Sequence, residues 1–560
     1  MTVENREDGG LSRREFVVAG AALAGAAMVP FGAASAQAGV RYTRYNVADP
    51  KGRAMLDGYA KAIEHMLGLD ADHPHNWYRT AFTHFLDCPH GNWWFLPWHR
   101  GFMGYTEQIV RQYSGMDDFA FPYWDWTQSP EVPEAMYDGV LDPGNKAYIQ
   151  SMSNFRNRFE PMLENSGYWI KDPKIDDGGP DTTFGQLLAR SVRMPDDAWF
   201  DMLKNPNTIA FFPNPLYPNA NARGLQRSNR GLDTPTRRSV SAPTLLNALS
   251  PRDFVTFASD RTMFHANISG FGVLEGQPHN KVHNNVGGVI YDDATKQTNN
   301  IGGFLQNNLS PVDPLFFLHH SNMDRIWDVW TRKQVASGYP ILPDGAPAQP
   351  GGTPVAGSPY AQWAKERFLF FIGPDGKPVT DSVAGKYASK AFFDYGYQPG
   401  SGEEFVPTPQ KMLGIAPRRR AIQRVRSAPP AETARDLGVA VTLPAAFARG
   451  GRGPAAPVLF AKVTLVLPPD SHGELFDILV HAGDPSKARL VESVSLFGGH
   501  GASHGPVTFT VALTGVLAEL DGVRADRPIY FQAVREGGMH GRAGHGVEKV
   551  EIVSVTVEAH

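Results

Sequence analysis

The chain has 560 residues, long enough for more than one domain with a substantial core, and its 42% hydrophobic and 20% charged content is that of an ordinary globular protein. Its formal net charge of -4 carries no basic excess, which argues against a nucleic-acid partner. Beyond the first residues no segment is long and apolar enough to cross a bilayer, so no membrane role is expected.

Residues 1–38 read as a removable leader. Ser12-Arg13-Arg14-Glu15-Phe16-Val17 is a twin-arginine sequence, an Ala/Gly-rich apolar stretch follows, and Ala36-Gln37-Ala38 supplies a small-residue cleavage site. That pattern predicts a bacterial Tat signal peptide and a periplasmic or secreted protein. Cys88 is the only cysteine, so an internal disulfide is excluded.

Residues 39–398 form one block rich in Trp, Phe and His. Helical periodicity is clearest over Arg100–Tyr113 (Phe102, Tyr105, Ile109, Val110) and over His320–Trp330 (Met323, Ile326, Trp327, Trp330). The stretch 140–260 is rich in Asn, Pro and Gly, so a few core helices wrapped by long loops are expected. Residues 399–456 read as a Pro/Arg-rich linker with a basic run at Arg418-Arg419-Arg420 and then Arg424 and Arg426, open to proteolysis. From 457 to 560 the pattern becomes alternating and β-branched. It predicts strands over Val458–Leu467, Leu475–Val480, Val507–Leu513, Ile529–Val534 and Val547–Val557, and from them a small antiparallel β-sandwich. Gly/His-rich loops at Gly498–His504 and Met539–His545 read as solvated loops.

Two histidine clusters carry the chemistry. The first runs from His84 through Cys88 and His90 to His99; the second holds His279, His283, His319 and His320. On a helix, the i, i+4 pair His279 and His283 reaches one ion from one face. His320 and Asp324 share that spacing, and Asp324 is expected to brace a neighbouring group. Arg100–Glu107 continues as helix from His99, which presents His99 at its start. Imidazole donors without a carboxylate suit copper, zinc, iron or nickel. A zinc protease would need Glu directly after the first His of the pair, and Asn280 stands there.

Longer motifs surround these histidines. His90-x4-Phe95-Leu96-Pro97-Trp98-His99-Arg100-x2-Met103-x3-Glu107 resembles the copper A signature of the tyrosinase, catechol oxidase and molluscan hemocyanin superfamily. Asp313-Pro314-x-Phe316-Phe317-x2-His320-x3-Asp324 resembles its copper B signature. Tyr123-Trp124-Asp125-Trp126 and Tyr395-Gly396-Tyr397 are also similar to family segments. The resemblance covers residues 40–398 and extends more weakly to Glu474–Val480, which is similar to a strand of plant proenzymes.

The resemblance implies a mainly α catalytic domain, in which a central four-helix bundle holds a type-3 pair of copper ions. Copper A would be held by His84, His90 and His99, and copper B by His279, His283 and His320, with His319 a packed neighbour. For the first ligand His75, His73 and His65 remain alternatives to His84. Cys88-Pro89-His90 resembles a Cys-x-His in which sulfur is joined to the imidazole by a thioether; a free buried thiol is the alternative. Glu275 and Asn280 match a pair that polarises a water to deprotonate a monophenol. Phe304 is the nearest candidate for the gate that plant enzymes place over copper A, although Asn307 stands at the aligned spacing.

The implied activity is oxidation of catechols to o-quinones by O2, with ortho-hydroxylation of monophenols (tyrosinase, polyphenol oxidase or catechol oxidase chemistry). The rivals are an o-aminophenol oxidase and a hemocyanin-like oxygen carrier. The partners implied are a small phenol, O2 and, as a candidate, a copper chaperone. The C-terminal domain would shield the active-site mouth until the linker is cut.

Overall fold

The computed structural model describes residues 39–161, 223–407, 422–427, 437–448, 457–497, 505–535 and 548–560, apart from scattered positions within those spans. The leader over 1–38, Asn307, Arg418–Arg420 and both Gly/His-rich loops lie outside the described residues. Among the described residues no helix is long and apolar enough to cross a membrane.

The helical part is built on α1 (Pro50–Gly68), α2 (Trp77–Asp87) and α3 (Phe95–Ser114), then short α4 (Thr234–Ser239), α5 (Ala242–Leu249) and α6 (Phe254–Phe257), then α7 (Asn280–Gly287) and α8 (Leu315–Ser337). Their ends follow local chemistry. Asp49 caps α1 by accepting from the Lys51 N–H, with Pro50 in the first turn where its missing N–H costs nothing. Asn76 caps α2 through the Tyr78 N–H. Asp313 accepts the Leu315 N–H at the start of α8 and is itself held by Arg223. Gly115, Gly288 and Gly338 end α3, α7 and α8 in the left-handed conformation that glycine adopts without a steric penalty.

Two helix starts differ from the sequence expectation. The helix carrying His99 begins at Phe95, so His99 lies in its second turn rather than at its start. Pro97 is tolerated there because first-turn N–H groups have no intrahelical partner. Before α7, Glu275–His279 forms a π-turn around Pro278, whose ring nitrogen has no hydrogen to give to an α-helical ladder.

The strands are β1 (Tyr42–Arg44), β2 (Gly270–Phe271), β3 (Val289–Asp292), β4 (Gln297–Asn300), β5 (Tyr395–Tyr397), β6 (Gln423–Arg426), β7 (Val439–Thr442), β8 (Leu459–Val466), β9 (Phe476–His481), β10 (Arg489–Val494), β11 (Val507–Ala512), β12 (Pro528–Arg535) and β13 (Glu548–Ala559). A nine-stranded C-terminal sheet runs β10-β9-β12-β13-β8-β11-β2, with β6 on β13 and β7 on β12. Its pairs are antiparallel except β11–β2, where Phe509 lies against Phe271 of the helical part. The segment read as a linker therefore contributes two strands. Gln423–Arg426 pairs with β13 and Arg424 meets Glu558 at 2.6 Å, so this part of the basic run is held on the sheet. The sheet has its own apolar core, which takes in Phe271.

One buried knot ties the ends of the helical part to its centre. β1 and β5 pair in parallel, with Arg44 opposite Tyr397. Arg44 bonds Glu107 of α3 at 2.9 Å and Asp324 of α8 at 3.2 Å, and lies 3.7 Å from the Tyr395 ring centroid. Asp324 also receives Arg100 at 2.7 Å, the Tyr397 hydroxyl at 2.5 Å and the Tyr395 hydroxyl. The two arginines outweigh burial and hold the Asp324 carboxyl below the usual carboxylate range. Asp324→Asn leaves two buried guanidinium groups short of their shared anion. The expected loss is about 3–5 kcal/mol of unfolding free energy, read from guanidinium denaturation.

Candidate metal centre

Four helices bring the histidines together. His84 comes from the last turn of α2, His90 from the loop that follows, His99 from α3, His279 and His283 from the π-turn and α7, and His319 and His320 from α8. All are buried. Two groups have the arrangement a metal needs: His84, Cys88, His90 and His99, and His279, His283, His319 and His320, each with one donor atom per residue and all donors within 4.8 Å of one another. The alternatives to His84 are elsewhere. His75 bonds the Tyr113 hydroxyl and the Gly373 carbonyl, His65 stacks on Tyr113, and His73 packs edge-on against His75.

The imidazoles are aimed from behind. Nδ1 of His84 donates to the Asn308 carbonyl at 2.8 Å, that of His99 to the Phe95 carbonyl at 2.8 Å, and that of His283 to the Leu305 carbonyl at 2.7 Å. His279 uses the Asn280 amide oxygen at 2.9 Å. A carbonyl only accepts, so these bonds put the proton on Nδ1 and leave a lone pair on Nε2. Nε2 of His84 and of His279 is buried without a partner, and Nε2 of His283 and of His320 face each other at 3.0 Å. Nδ1 of His320 has no partner, so His320 can donate from Nε2 to the His283 lone pair, and loss of that proton would free both nitrogens for a metal.

Burial also keeps the rings neutral. It lowers the pKa of His84 to about 3 and holds His99, His279, His283 and His320 well below the ordinary value, the neighbouring imidazoles adding to the effect for these four. Cys88 is the free, buried thiol, and burial pushes its pKa up, with Glu275 and Asp87 adding to the shift. Its sulfur lies 3.5 Å from Nε2 of His90 and 3.4 Å from Nε2 of His99, so distance alone does not single out His90.

Glu275 and Asn280 are both buried at the first turn of the second cluster but serve different neighbours. Glu275 accepts the Gly91 N–H at 2.8 Å and the Ser259 hydroxyl, and burial raises its pKa well above the carboxylate range. Gly91 has a φ of +61°, and a Cβ there would meet Ile268 at 2.6 Å, so the turn after His90 requires glycine. Asn280 gives its oxygen to His279 and its amide N–H to the Ser495 carbonyl at 3.0 Å. Asp324 does not touch the histidines; it holds Arg100, the neighbour of His99.

Phe304 is buried in a short turn, Phe304–Gln306, whose Leu305 carbonyl steadies His283. The ring over the centre is instead Phe497 of the C-terminal part. It stacks on His283 at 4.1 Å and meets His90 and His279 edge-on at 5.0 and 5.3 Å. Beside it Asn284 bonds the Ser495 hydroxyl and the Leu496 carbonyl at 2.8 and 2.9 Å, and Lys281 meets Glu492 at 3.4 Å. Phe497 follows the strands read from sequence in a loop without periodicity, and no sequence signal marks it.

Residues 64–333 match the family model described as the common central domain of tyrosinase. The chain contains a tyrosinase-family central domain. Its tyrosinase domain spans every histidine of both clusters. Tyrosinase HcTyr1 from Hahella sp. is 25% identical over 334 residues, covering 54% of this chain and 55% of that protein. The chloroplastic polyphenol oxidase of Spinacia oleracea is 24% identical, covering 52% of this chain and 39% of its own length. The chain thus spans about half the length, or less, of these curated relatives. A structure of latent apple tyrosinase aligns over 95% of this chain and 99% of its own at 18% identity and a TM-score of 0.48.

The tyrosinase family is dicopper, and the two buried groups can hold two metal ions. The donors fit: imidazole nitrogens with no carboxylate among them suit copper, and the unpartnered Nε2 atoms of His84 and His279 are already in the ligand tautomer.

The lowered histidine pKa values give a direct expectation for the metal-free protein. Above about pH 6.5 these rings are neutral both folded and unfolded and add no pH dependence. Below it the unfolded chain binds protons that the folded chain refuses until about pH 3, the value for His84. Stability of metal-free protein should therefore fall steadily as pH drops from about 6.5, and bound copper should move the fall to lower pH. Thermal unfolding of both forms across pH measures this.

Proposed function

We propose that this chain is a copper phenol oxidase that takes catechols to o-quinones with O2 and hydroxylates monophenols at the ortho position. A bundle of α2, α3, α7 and α8 would carry the centre, with His84, His90 and His99 holding copper A and His279, His283 and His320 holding copper B. The single observation that carries the reading is the set of buried Nε2 lone pairs on His84, His99, His279 and His283, each backed by an acceptor on Nδ1 and gathered in two groups of donors. Two copper ions bound there would supply dioxygen activation and accept the electrons of the phenol.

The chain's own residues would bind, orient and deprotonate. Phe95, Phe316 and the indole of Trp98 line the imidazoles and keep water out. Glu275, with its raised pKa, would take up a phenolic proton through a water. Asn280 would orient that water, once its amide is released from Ser495. Cys88 would join a ring carbon of His90 by a thioether, the S–H and C–H bonds breaking and their two protons and two electrons going to O2, the oxidant of the proposed reaction. The twin-arginine leader supports export to the periplasm or beyond.

The C-terminal β-sandwich would act as a shield in two ways. Phe497 fills the place where a phenol ring would stack on His283, and Ser495 occupies the amide of Asn280. Cutting near Arg418–Arg426 would release both.

The test is copper-loaded full chain, before and after limited proteolysis, offered tyrosine, a catechol and an o-aminophenol under oxygen. Catechol turnover that rises on cleavage is expected; unchanged turnover of a bulky catechol sinks the shield. Preference for the o-aminophenol points to that oxidase, and reversible oxygen binding without oxidation of any substrate points to a carrier. Burying the Phe497 ring is worth about 1.5–3 kcal/mol. Phe497→Ala should therefore raise the turnover of the uncut chain about 10- to 100-fold, if that energy holds the shield closed.

A further inference from the structure

The adjacent histidines His319 and His320 differ at Nδ1, which has no partner in His320 and faces a donor in His319. A neutral imidazole carries one proton, so a nitrogen that accepts a hydrogen bond leaves the proton on the other. In His84, His99, His279 and His283 the atom facing Nδ1 is an oxygen that accepts, and Nε2 is left bare. His319 is reversed. Its Nδ1 lies 3.2 Å from Nε1 of Trp126, and an indole N–H only donates. Nδ1 of His319 is therefore the acceptor and its proton lies on Nε2. That N–H is fully buried and has no protein partner.

It nonetheless lies in the second cluster. The His319 ring stands 4.8 Å from His283, 5.5 Å from His279 and 5.2 Å from His320, and one of its nitrogens belongs to the group of donors within 4.8 Å. To ligate copper through Nε2 while Trp126 holds Nδ1, the ring would have to lose both protons. A buried donor with no acceptor costs about 1–3 kcal/mol, so the site has reason to take in an acceptor.

We infer that His319 is a positioning residue rather than a ligand: its Nε2–H donates to an oxygen or small anion held beside His279, His283 and His320, and Trp126 fixes the tautomer that makes this possible. The group it takes is an acceptor, such as a phenolate oxygen, hydroxide or a halide. The inference rests on the dicopper reading above and adds a residue that favours the deprotonated phenol.

The first test needs no copper. In metal-free full chain with 15N-labelled histidine, the signals lost in His319→Gln identify His319, and their couplings report the tautomer. A proton on Nε2 of His319, with protons on Nδ1 of His84, His99 and His283, is expected; a proton on Nδ1 of His319 overturns the inference. The second test uses copper-loaded wild type, His319→Gln, His319→Leu and Trp126→Phe, with copper content and a fluoride titration of the copper(II) form as readouts. Two coppers per chain are expected in all four. Fluoride should bind about tenfold more weakly to His319→Leu and Trp126→Phe, and near wild type to His319→Gln, whose amide restores a donor. Loss of one copper in both His319 variants makes His319 a ligand and overturns the inference. Two coppers with fluoride binding indifferent to position 319 also overturns it and leaves the dicopper reading standing. A wild-type chain that takes up no copper sinks that reading and the inference with it.

Discussion

Seven imidazoles packed into one apolar core do not all satisfy one another by hydrogen bonds. Nε2 of His283 and of His320 meet at 3.0 Å, where His320 can donate to the His283 lone pair, but Nε2 of His84 and of His279 are left buried with no donor to meet them. A metal ion would engage those bare lone pairs. The surrounding architecture keeps that arrangement in place. Carbonyls of Phe95 on one segment and of Leu305 and Asn308 on another fix the tautomers, and aromatic rings close the remaining space. A structure that scattered these rings would satisfy each one with water and have nowhere to put a metal.

Two of the four helices, α3 and α8, are held in register by ionic bonds. Asp324 joins α8 to Arg100 of α3 and to Arg44 of β1, and the two tyrosines of β5 close over it. Both arginines stay charged at any working pH, and their planar faces stack on Tyr395 and Trp327. The same economy governs the seam with the C-terminal sheet. Asn280, Lys281 and Asn284 sit on the helix that carries His283, and all three reach Glu492, Ser495 or Leu496. The helix that carries His283 is also the surface on which the C-terminal part docks.

The sequence made the site unusually readable because its residues lie in dense local runs. His90 to Glu107 and Asp313 to Asp324 each fall on one helix and its approach, where spacing converts directly into geometry. The alternating strands from Leu459 onward were legible for the same reason. Non-local chemistry was not. The two-residue strand Gly270–Phe271 has no pattern of its own and exists because Val507–Ala512 lies beside it. Gln423–Arg426 reads as a charged tether and becomes a strand because β13 offers it a partner and Glu558 a counter-charge. The choice of His84 over His75, and the contrast between His319 and His320, depend on groups hundreds of residues away in the chain: Gly373 for His75, Asn308 for His84 and Trp126 for His319.

The central claim is that one chain holds two copper ions by imidazole alone. X-ray absorption at the copper edge of the fully loaded, uncut chain tests it most directly. Two coppers per chain, each with only nitrogen or oxygen neighbours and the multiple-scattering pattern of imidazole, is the result expected. A single copper, or a copper–sulfur contribution from Cys88, would contradict it.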